Sequence, residues 1–430
     1  MARARRARVG LALAGGGPEG AVWEIGALRA LDEAIEGIAL DQLDVYVGVS
    51  AGAFLAANLA NGLTTAQMCR AIVKHEPGEH PFVPETFFTP AVGEIVRRGL
   101  SVPRLLVEAI AGFAVNPRDR SLLDSLTRLS RALPAGLFDN EPIRRYLRSI
   151  YTMRGRTDDF RRLGRKLFVV AADLDRGEPV VFGTRGWDHV PISRAIQASS
   201  ALPVLYPPVE IDERRFVDGV LLKTMHASVA LDAGAELVLC VNPIVPVDVS
   251  ARHLALDGEE FDLERRGLPT ILSQTFRTLI HSRLAVGMKA YEKRYPGADV
   301  ILVEPDRDDY ENFFTNIFSF SARRAVAARA YEATRRDLLA RADELAPMLA
   351  RHGARLRRDL LADETRDLWA GVGLPEDHGR HLAHGTLRRL DRALDRVEAL
   401  TRAGAPPAGG TQPARRPKKR STRRSNIASG

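Results

Sequence analysis

The sequence predicts an α/β fold with a mainly parallel central sheet, on three observations. An apolar strand pattern at residues 9–14 ends in a run of glycines and is followed by a helix pattern. A second strand pattern, at residues 43–49, ends in another tight glycine turn and leads into a helix of small residues at 51–60. Short strand patterns then return between residues 167 and 303. A repeated strand, glycine turn and helix is typical of parallel sheets, because each parallel crossover needs a connecting helix.

The length and composition fit one large globular domain with added segments. The chain has 430 residues, of which 45% are hydrophobic, an ordinary proportion for a protein with a packed core. The two cysteines, Cys69 and Cys240, are too few for a disulfide framework and lack metal-ligand spacing. We predict a basic extension at 1–8, an α/β domain at 9–310 with a helical insert at about 64–150, a helical region at 311–402, and a disordered basic tail at 403–430.

The net charge of +8 is concentrated at the two ends of the chain. Residues 1–9 contain four arginines and no acid, and residues 411–430 contain seven basic residues and no acid, so the rest of the chain is close to neutral. We interpret the tail as a solubilising extension, with binding to anionic lipid or nucleic acid as the alternative. We expect no nucleic-acid partner, and the oligomeric state stays open.

Targeting and membrane-spanning signals are weak. The basic start and the apolar run at residues 9–14 mimic a signal peptide, but the run is shorter than the usual ~7–15 residues. No uninterrupted apolar stretch approaches the ~20 residues of a transmembrane helix. We therefore predict a cytoplasmic protein without a signal peptide or a transmembrane helix, with peripheral membrane association as the alternative.

The second glycine turn has the sequence Gly48-Val49-Ser50-Ala51-Gly52 between a strand and a helix. Gly-x-Ser-x-Gly in this position is the pattern of a nucleophile elbow. The sharp turn holds the serine hydroxyl out at the end of the strand, and a side chain at either glycine would collide with the neighbouring backbone. The helix that follows favours negative charge at its N-terminus. Ser50 is therefore the candidate nucleophile.

The first glycine turn, Gly15-Gly16-Gly17, leads through Pro18 to Gly20. Gly-x-Gly-x-x-Gly is also a dinucleotide-binding pattern, but that use needs an acidic residue at the end of the next strand, where this chain has the elbow. We favour an oxyanion hole, in which backbone N–H groups stabilise the negative charge of a tetrahedral intermediate. The N–H groups of Gly16 and Gly17 are the best donors, since Pro18 has none.

A catalytic serine needs a proton acceptor, for which the sequence offers two candidates. His226, which follows Asp218 by eight residues, is the candidate for a Ser–His–Asp triad. Asp218 itself directly follows a short strand pattern and precedes Gly219. A carboxylate within hydrogen-bond distance of the serine can act as the base without a histidine. The residues alone leave both candidates open.

Together these features resemble the patatin-like phospholipase family. The resemblance rests on the glycine loop, on the elbow at residues 48–52, and on Asp218-Gly219, in that order. The stretch AIQASSALPVLYPPV before Asp218 is similar to the family's Ala-Ser-x-Ala-x-Pro sequence, and the match extends over about residues 9–305. The resemblance implies a three-layer α/β/α fold with a mainly parallel sheet, here with an added C-terminal helical region.

The resemblance also implies a serine lipid acyl hydrolase that works through a Ser–Asp dyad. Ser50 would attack the acyl carbonyl, and Asp218 would take its proton and later activate water. No cofactor and no metal are implied. The substrate would be a carboxylic ester of a phospholipid or related lipid, met at a membrane or lipid surface.

The motif glycines receive their roles from the same resemblance. Those of the first turn would form the oxyanion hole, and the others would let the backbones of the motifs approach closely. They are Gly15, Gly16 and Gly17 for the oxyanion hole, and Gly20, Gly48, Gly52 and Gly219 for support of the motifs.

Two positions depart from the family's pattern. Glu19 stands where the glycine loop often carries a basic residue. A carboxylate there repels a phosphate head group, which favours a neutral glyceride, a thioester or a simple ester as the substrate. Val220 follows the Asp-Gly pair where another small residue is common, and this mild change leaves the expected dyad intact.

Three other hypotheses remain beside the lipid acyl hydrolase. The first is a transacylase, which passes the acyl group to an acceptor other than water. The second is a general carboxylesterase or thioesterase, including a Ser–His–Asp esterase that uses His226. The third is a non-enzymatic membrane-binding or scaffolding protein, which would use the amphipathic helix pattern at 386–402 and the basic tail.

Overall fold

The strands and helices that carry the motifs are all resolved in a computed structural model of the chain. The structure describes residues 7–71, 89–91, 135–248, 255–256, 259–260, 267–307 and 320–372. They belong to a compact unit that spans residues 1–376, and a second unit, residues 377–430, lies outside the described residues. Most of the predicted insert at 64–150, the helix pattern at 386–402 and the basic tail at 403–430 also lie outside them.

The strands that the structure describes form a central sheet and two small sheets, one made of β2 and β12 and the other of β9 and β10. The strands are β1 (Val9–Leu13), β2 (Ile35–Glu36), β3 (Val45–Gly48), β4 (Lys166–Asp173), β5 (Glu178–Phe182), β6 (Val209–Ile211), β7 (Arg214–Asp218), β8 (Leu237–Val241), β9 (Ala255–Leu256), β10 (Glu259–Glu260), β11 (Asp299–Val303) and β12 (Arg355–Leu356).

The helices follow the strands as a parallel sheet requires, with α1 after β1 and α2 after β3. They are α1 (Gly17–Ala34), α2 (Ala51–Ala60), α3 (Thr65–Cys69), α4 (Glu141–Tyr151), α5 (Ile192–Ser199), α6 (Ala227–Asp232), α7 (Leu268–Arg294), α8 (Phe320–Ala340), α9 (Ala342–Arg351), α10 (Arg358–Leu361) and α11 (Leu368–Gly371). Within the described ranges, no helix is both long enough and apolar enough to cross a membrane.

In the described residues the central sheet has eight strands in the order β11-β8-β1-β3-β4-β7-β6, with β5 paired to β4. Neighbours from β11 to β4 are parallel, whereas β5 and β7 run antiparallel to β4. Gly48 at the end of β3 lies opposite Val169 of β4, and Asp218 at the end of β7 lies opposite Ala171 of the same strand. The predicted α/β fold with a mainly parallel sheet is confirmed, and β4 brings the ends of β3 and β7 together.

Alternate residues of the parallel strands face opposite sides of the sheet, as the period of a strand dictates. In β1, Leu11 and Leu13 pack in one apolar cluster with α1 and α2. Ala12, between them, belongs to a second cluster with α6 and with Leu284 of α7. The sheet therefore lies between two helical layers, and its carboxyl edge, where β1 and β3 end, carries both glycine turns.

The long helix α8 packs directly on α1, at the point where α1 has Gly26. A Cβ atom added to Gly26 would overlap the carbonyl oxygen of Ala327 and would lie 2.8 Å from the Cβ of Ala330. Further along the same contact, the Tyr331 hydroxyl donates to the Glu33 carboxylate over 2.7 Å. The glycine therefore lets two helix backbones approach closely, and α8 is part of the same core as the helix that follows the first glycine turn.

We predict that Gly26→Ala destabilises the protein by about 1–3 kcal/mol, because the added methyl group overpacks the contact with α8. Helix propensity alone predicts the opposite sign for the change in stability, because it favours alanine over glycine by up to ~1 kcal/mol. Urea denaturation checks it. The matched control is Gly164→Ala, because an added Cβ there has no neighbour within 4 Å. We expect the control to change stability by less than about 0.5 kcal/mol. Equal midpoints for the two variants would contradict the close approach.

Candidate active site

The second glycine turn forms a strained elbow between β3 and α2. Ser50 has φ 52° and ψ −122°, a conformation that residues with a side chain rarely adopt. A Cβ atom on Gly52 would lie 2.7 Å from the carbonyl oxygen of Leu13, and one on Gly48 would lie 2.6 Å from the backbone nitrogen of Ala53. Both glycines are therefore required by the close approach of α2 to the ends of β1 and β3.

The elbow is supported by the side chain of a second serine, which was not predicted from the sequence. The backbone N–H of Ser50 donates to the Ser199 Oγ over 2.8 Å, and the Ser199 hydroxyl donates to the carbonyl of Val170 over 2.6 Å. Ser199 is fully buried at the end of α5. It links the strained residue to strand β4. Its only signal in the sequence is its place in the stretch ASSALP, which carries no hint of this contact.

Asp218 lies beside Ser50, at the end of β7. Its side chain accepts a hydrogen bond from the backbone N–H of Val220 over 2.9 Å, and the Ser50 side chain is near enough to lower its pKa. Its own N–H donates to the carbonyl of Ala201 over 3.0 Å. A Cβ atom on Gly219 would overlap the carbonyl group of Val170 in β4, so the turn after Asp218 needs a glycine. The carboxylate is thus aimed at the serine by backbone contacts on both sides.

Burial raises the pKa of Asp218 to about 7, while the hydrogen bond from Val220 and the Ser50 side chain lower it. Only 3% of the residue is exposed, so its charge has little contact with water. A carboxyl group with a pKa near neutrality can both accept a proton and return it at physiological pH. Ser50 is therefore the candidate nucleophile, and Asp218 beside it is a candidate base with a suitable proton affinity.

The first glycine turn lies against the elbow. A Cβ atom on Gly15 would be 3.2 Å from the Cβ of Ser50, and the Gly15 N–H donates to the carbonyl of Thr224 over 3.3 Å. Within the described part of the chain, the N–H groups of Gly16 and Gly17 have no acceptor. Gly17 has φ 62°, which favours glycine. Two free donors thus lie next to the candidate nucleophile.

Gly20 supports this loop from the first turn of α1. Its N–H donates to the Gly16 carbonyl over 3.0 Å. A Cβ atom on Gly20 would lie 3.0 Å from the Cγ of Pro243, and one on Gly16 would lie 2.6 Å from the same atom. The segment after β8 therefore leaves room only for a loop without side chains at these two positions.

His226 lies close to the pair but is not joined to it. Its ring is buried at the start of α6, within hydrogen-bonding range of the backbone of Gly219 and Lys223. Burial lowers its pKa to about 4, so the ring is neutral at physiological pH. No hydrogen bond joins it to Ser50 or Asp218 in the described residues, where its Nε2 has no partner. The arrangement therefore favours a direct contact between serine and carboxylate over a triad.

A small cleft opens beside the glycine loop. Burial raises the pKa of Glu19 to about 7, and the charge of Arg277 lowers it. One carboxylate oxygen of Glu19, Oε1, is buried and has no hydrogen-bond partner among the described residues. The cleft is lined by Gly16, Glu19, Gly20 and Trp23 of the loop and α1, by Pro243 and Ile244, by Arg277 of α7 and by Val326 of α8.

In the residues that the structure describes, no group of three or more His, Cys, Asp or Glu side chains is arranged to hold a metal ion.

The sequence of the patatin-like phospholipase family matches this chain over residues 11–231, just over half of its length. That range contains the glycine loop, the elbow, Ser199 and Asp218. The match therefore covers both strand–glycine turn–helix units and the strand that ends in the candidate base.

Solved structures with a similar arrangement come from bacteria and from human. The crystal structure of VipD from Legionella pneumophila is 15% identical, with a TM-score of 0.35 over 77% of this chain and 67% of VipD. The type III effector protein ExoU of Pseudomonas aeruginosa is 16% identical, with a TM-score of 0.33 over 76% of this chain and 52% of ExoU. Human GIVD cytosolic phospholipase A2 is 12% identical, with a TM-score of 0.24 over 56% of this chain and 41% of the human protein. The chain thus spans about half the length of ExoU and less of the human enzyme.

We predict that Asp218→Asn makes the protein more stable above pH 7. The unfolded aspartate has a pKa near 3.9, and the folded one is at about 7. Between these values the folded state binds more protons than the unfolded state, so the stability of the wild type falls as the pH rises. Asparagine does not titrate, so the variant lacks this loss of stability, which is about 1.4 kcal/mol for each pH unit between the two pKa values.

Denaturation of both proteins at pH 4, 6 and 8 measures the effect. We expect the advantage of Asp218→Asn to be small at pH 4 and to reach a few kcal/mol at pH 8. Glu19 is present in both proteins, so its own titration cancels in the difference. An advantage of the same size at all three values would show that burial does not raise the pKa of Asp218.

Proposed function

The chain belongs to the patatin-like phospholipase family and is a hydrolase of lipid ester bonds, and we propose that it works through a catalytic dyad of Ser50 and Asp218. The observation that carries the proposal is the position of the buried Asp218 carboxyl beside the Ser50 side chain, which lowers the pKa of that carboxyl. A base must come within hydrogen-bond distance of the proton that it takes, and the proposal gives this part to Asp218 without an intervening group.

In the first half of the reaction, the dyad would transfer the acyl group to the serine. The Asp218 carboxylate takes the hydroxyl proton while the Ser50 Oγ forms a bond to the acyl carbon. The resulting tetrahedral intermediate carries its negative charge on the former carbonyl oxygen. When it collapses, the bond to the alcohol breaks and the alcohol leaves with the proton from Asp218.

In the second half, water would release the fatty acid. Asp218, again ionised, takes a proton from a water molecule whose oxygen attacks the acyl-serine. The second tetrahedral intermediate collapses, the bond to the Ser50 Oγ breaks, and the proton returns to the serine. A carboxyl group with a pKa of about 7 suits these alternating roles, because neither protonation state is strongly favoured at neutral pH.

The negative charge of both intermediates needs donors, and the glycine loop supports this role. The N–H groups of Gly16 and Gly17 have no acceptor within the described residues and lie beside the elbow. The Gly15 N–H donates to Thr224, so we give Gly15 a backbone role rather than a donor role. The N–H of Ala51, the residue after the nucleophile, is a further donor at the N-terminus of α2. Donors held in place by the fold cost no rearrangement during the reaction.

The charge beside the loop favours an ester without a phosphate group. Glu19 and Arg277 line the cleft beside Gly16, and we place the leaving group of the bound ester next to them. An ionised carboxylate at this position repels a phosphate, and Arg277 offsets only part of that repulsion. We therefore propose that uncharged lipid esters, such as a glyceride, are hydrolysed in preference to anionic ones.

We predict that a fluorophosphonate probe labels the wild type and that Ser50→Ala abolishes the labelling, because the probe reacts with an activated serine. Asp218→Asn is expected to lower ester hydrolysis by about 10²–10⁴-fold, the range of a lost general base. His226→Gln is expected to lower it by less than about tenfold, since that ring does not reach the serine. Gel fluorescence and turnover of a short-chain ester measure these effects.

Circular dichroism on each variant is the control for folding. Loss of turnover in His226→Gln with full activity in Asp218→Asn would instead assign the reaction to a triad esterase. Labelling that persists in Ser50→Ala would remove the proposed nucleophile altogether.

We predict that Glu19→Gln shifts the substrate preference toward phosphate esters. The matched substrates are phosphatidic acid and diacylglycerol with the same acyl chains, which differ only in the phosphate. We expect the ratio of their kcat/KM values to rise about three- to tenfold at pH 8, the effect of removing one nearby charge. The rise should be smaller at pH 6, where most of the wild-type carboxyl is already protonated.

Glu19→Asp is the control, because it keeps the charge and should leave the ratio close to that of the wild type. A ratio that is the same in Glu19→Gln and in the wild type at pH 8 would show that this carboxylate does not act on the leaving group.

A further inference from the structure

Helix α7 exposes an unusual number of large apolar side chains. Half of those that are exposed anywhere in the described residues lie on this one helix. Single exposed apolar residues are common on protein surfaces, but a cluster on one element marks an interaction surface. They are Ile271 (40% exposed), Leu272 (46%), Phe276 (50%), Leu279 (54%) and Val286 (69%).

Four of them form a line along one side of the helix. Leu272, Phe276, Leu279 and Val286 are separated by four, three and seven residues, so an α-helix places them within an arc of about 80°. Leu284, through which α7 packs on the sheet, lies about 120° around the helix from the middle of this line. The exposed line is therefore apolar surface beyond the buried side of α7.

The charges of α7 are almost all positive. Residues 268–294 contain five Lys and Arg residues and a single acid, Glu292. Lys289 and Lys293 are exposed, on the turns that follow the apolar line. Exposed apolar side chains enter the head-group region of a lipid surface, and basic side chains beside them are attracted to anionic lipid. The same charges repel a partner that is itself basic.

The same helix touches both halves of the candidate active site. The Arg283 guanidinium donates to the carbonyl of Leu221, three residues after Asp218, over 2.9 Å. Arg277, on the packed side, lines the cleft together with Gly16 and Glu19. Arg283 lies on the same side of α7 as the exposed line, so a surface that contacts this side lies close to the turn after Asp218.

We propose that the exposed line of Leu272, Phe276, Leu279 and Val286 is the face that docks this enzyme on a lipid surface with anionic head groups. The inference deepens the proposed function, on which it rests, by naming the part of the chain that meets the lipid. Apolar side chains enter the boundary of the head groups, and the basic side chains near the end of α7 attract the anionic lipid. The substrate ester itself is uncharged, so the anionic lipid is the binding surface and not the substrate.

Co-sedimentation with vesicles tests the docking face. The full chain carries Ser50→Ala so that no lipid is consumed, and binding is compared with and without the changes Phe276→Ser and Leu279→Ser. The vesicles contain phosphatidylcholine with about one third phosphatidylglycerol, or phosphatidylcholine alone. We expect the double change to lower binding to the anionic vesicles by about tenfold or more, because two large apolar groups no longer leave water. The control, Leu174→Ser with Leu339→Ser, changes two exposed leucines on other elements and should bind like its parent.

A soluble short-chain ester, assayed with Ser50 intact, separates this proposal from the proposed function. We expect the double change to leave its hydrolysis unchanged, which also shows that the fold is intact. Absence of that hydrolysis in the wild type would overturn the proposed function while the vesicle result still reports on docking. Equal vesicle binding with and without the double change would overturn the docking face. So would a dimer, seen by sedimentation velocity, that the double change dissociates without any vesicle binding by its parent.

Discussion

The candidate site depends on the register of one strand, β4, between the two strands that carry the proposed dyad. β3 ends opposite Val169 and β7 ends opposite Ala171, so two positions of β4 that are two residues apart set the separation of Ser50 from Asp218. The carbonyl of Val170, the residue between them, accepts a hydrogen bond from the Ser199 hydroxyl and lies close to Gly219. A strand that slips by one residue turns every side chain to the other face, so this alignment cannot drift without unfolding the sheet.

Burial supplies the chemistry that this alignment makes available. Asp218 is held out of water by the two apolar clusters on either side of the sheet, and this raises its pKa into the range of a neutral base. The same effect lowers the pKa of His226 and removes its charge. One environment therefore raises the proton affinity of the carboxyl and leaves the imidazole neutral, and both effects suit the proposed dyad of a serine and an aspartate.

Local patterns in the sequence predicted the elements and the candidate nucleophile, because a strand, a glycine turn and the start of a helix follow one another within about 20 consecutive residues. The family resemblance, not the residues alone, favoured Asp218 over His226. Ser199 was not predicted, since its contact with Ser50 joins segments 149 residues apart. The motif predicted a donor role for Gly15, but its N–H donates to the carbonyl of Thr224, which is distant in the sequence. Periodicity cannot show which distant side chains a fold brings together.

The added helices alter a site whose motifs lie elsewhere in the chain. Glu19 would be an isolated charge at the start of α1, but α7 sets Arg277 near it, and α8 closes the cleft with Val326. Gly26 permits that closure, since it lets α8 approach α1. The departure at residue 19 and the helices beyond β8 therefore belong to one arrangement, in which a cation from α7 lies near the buried acid at the start of α1. In the proposed reaction, these two groups together act on the leaving group.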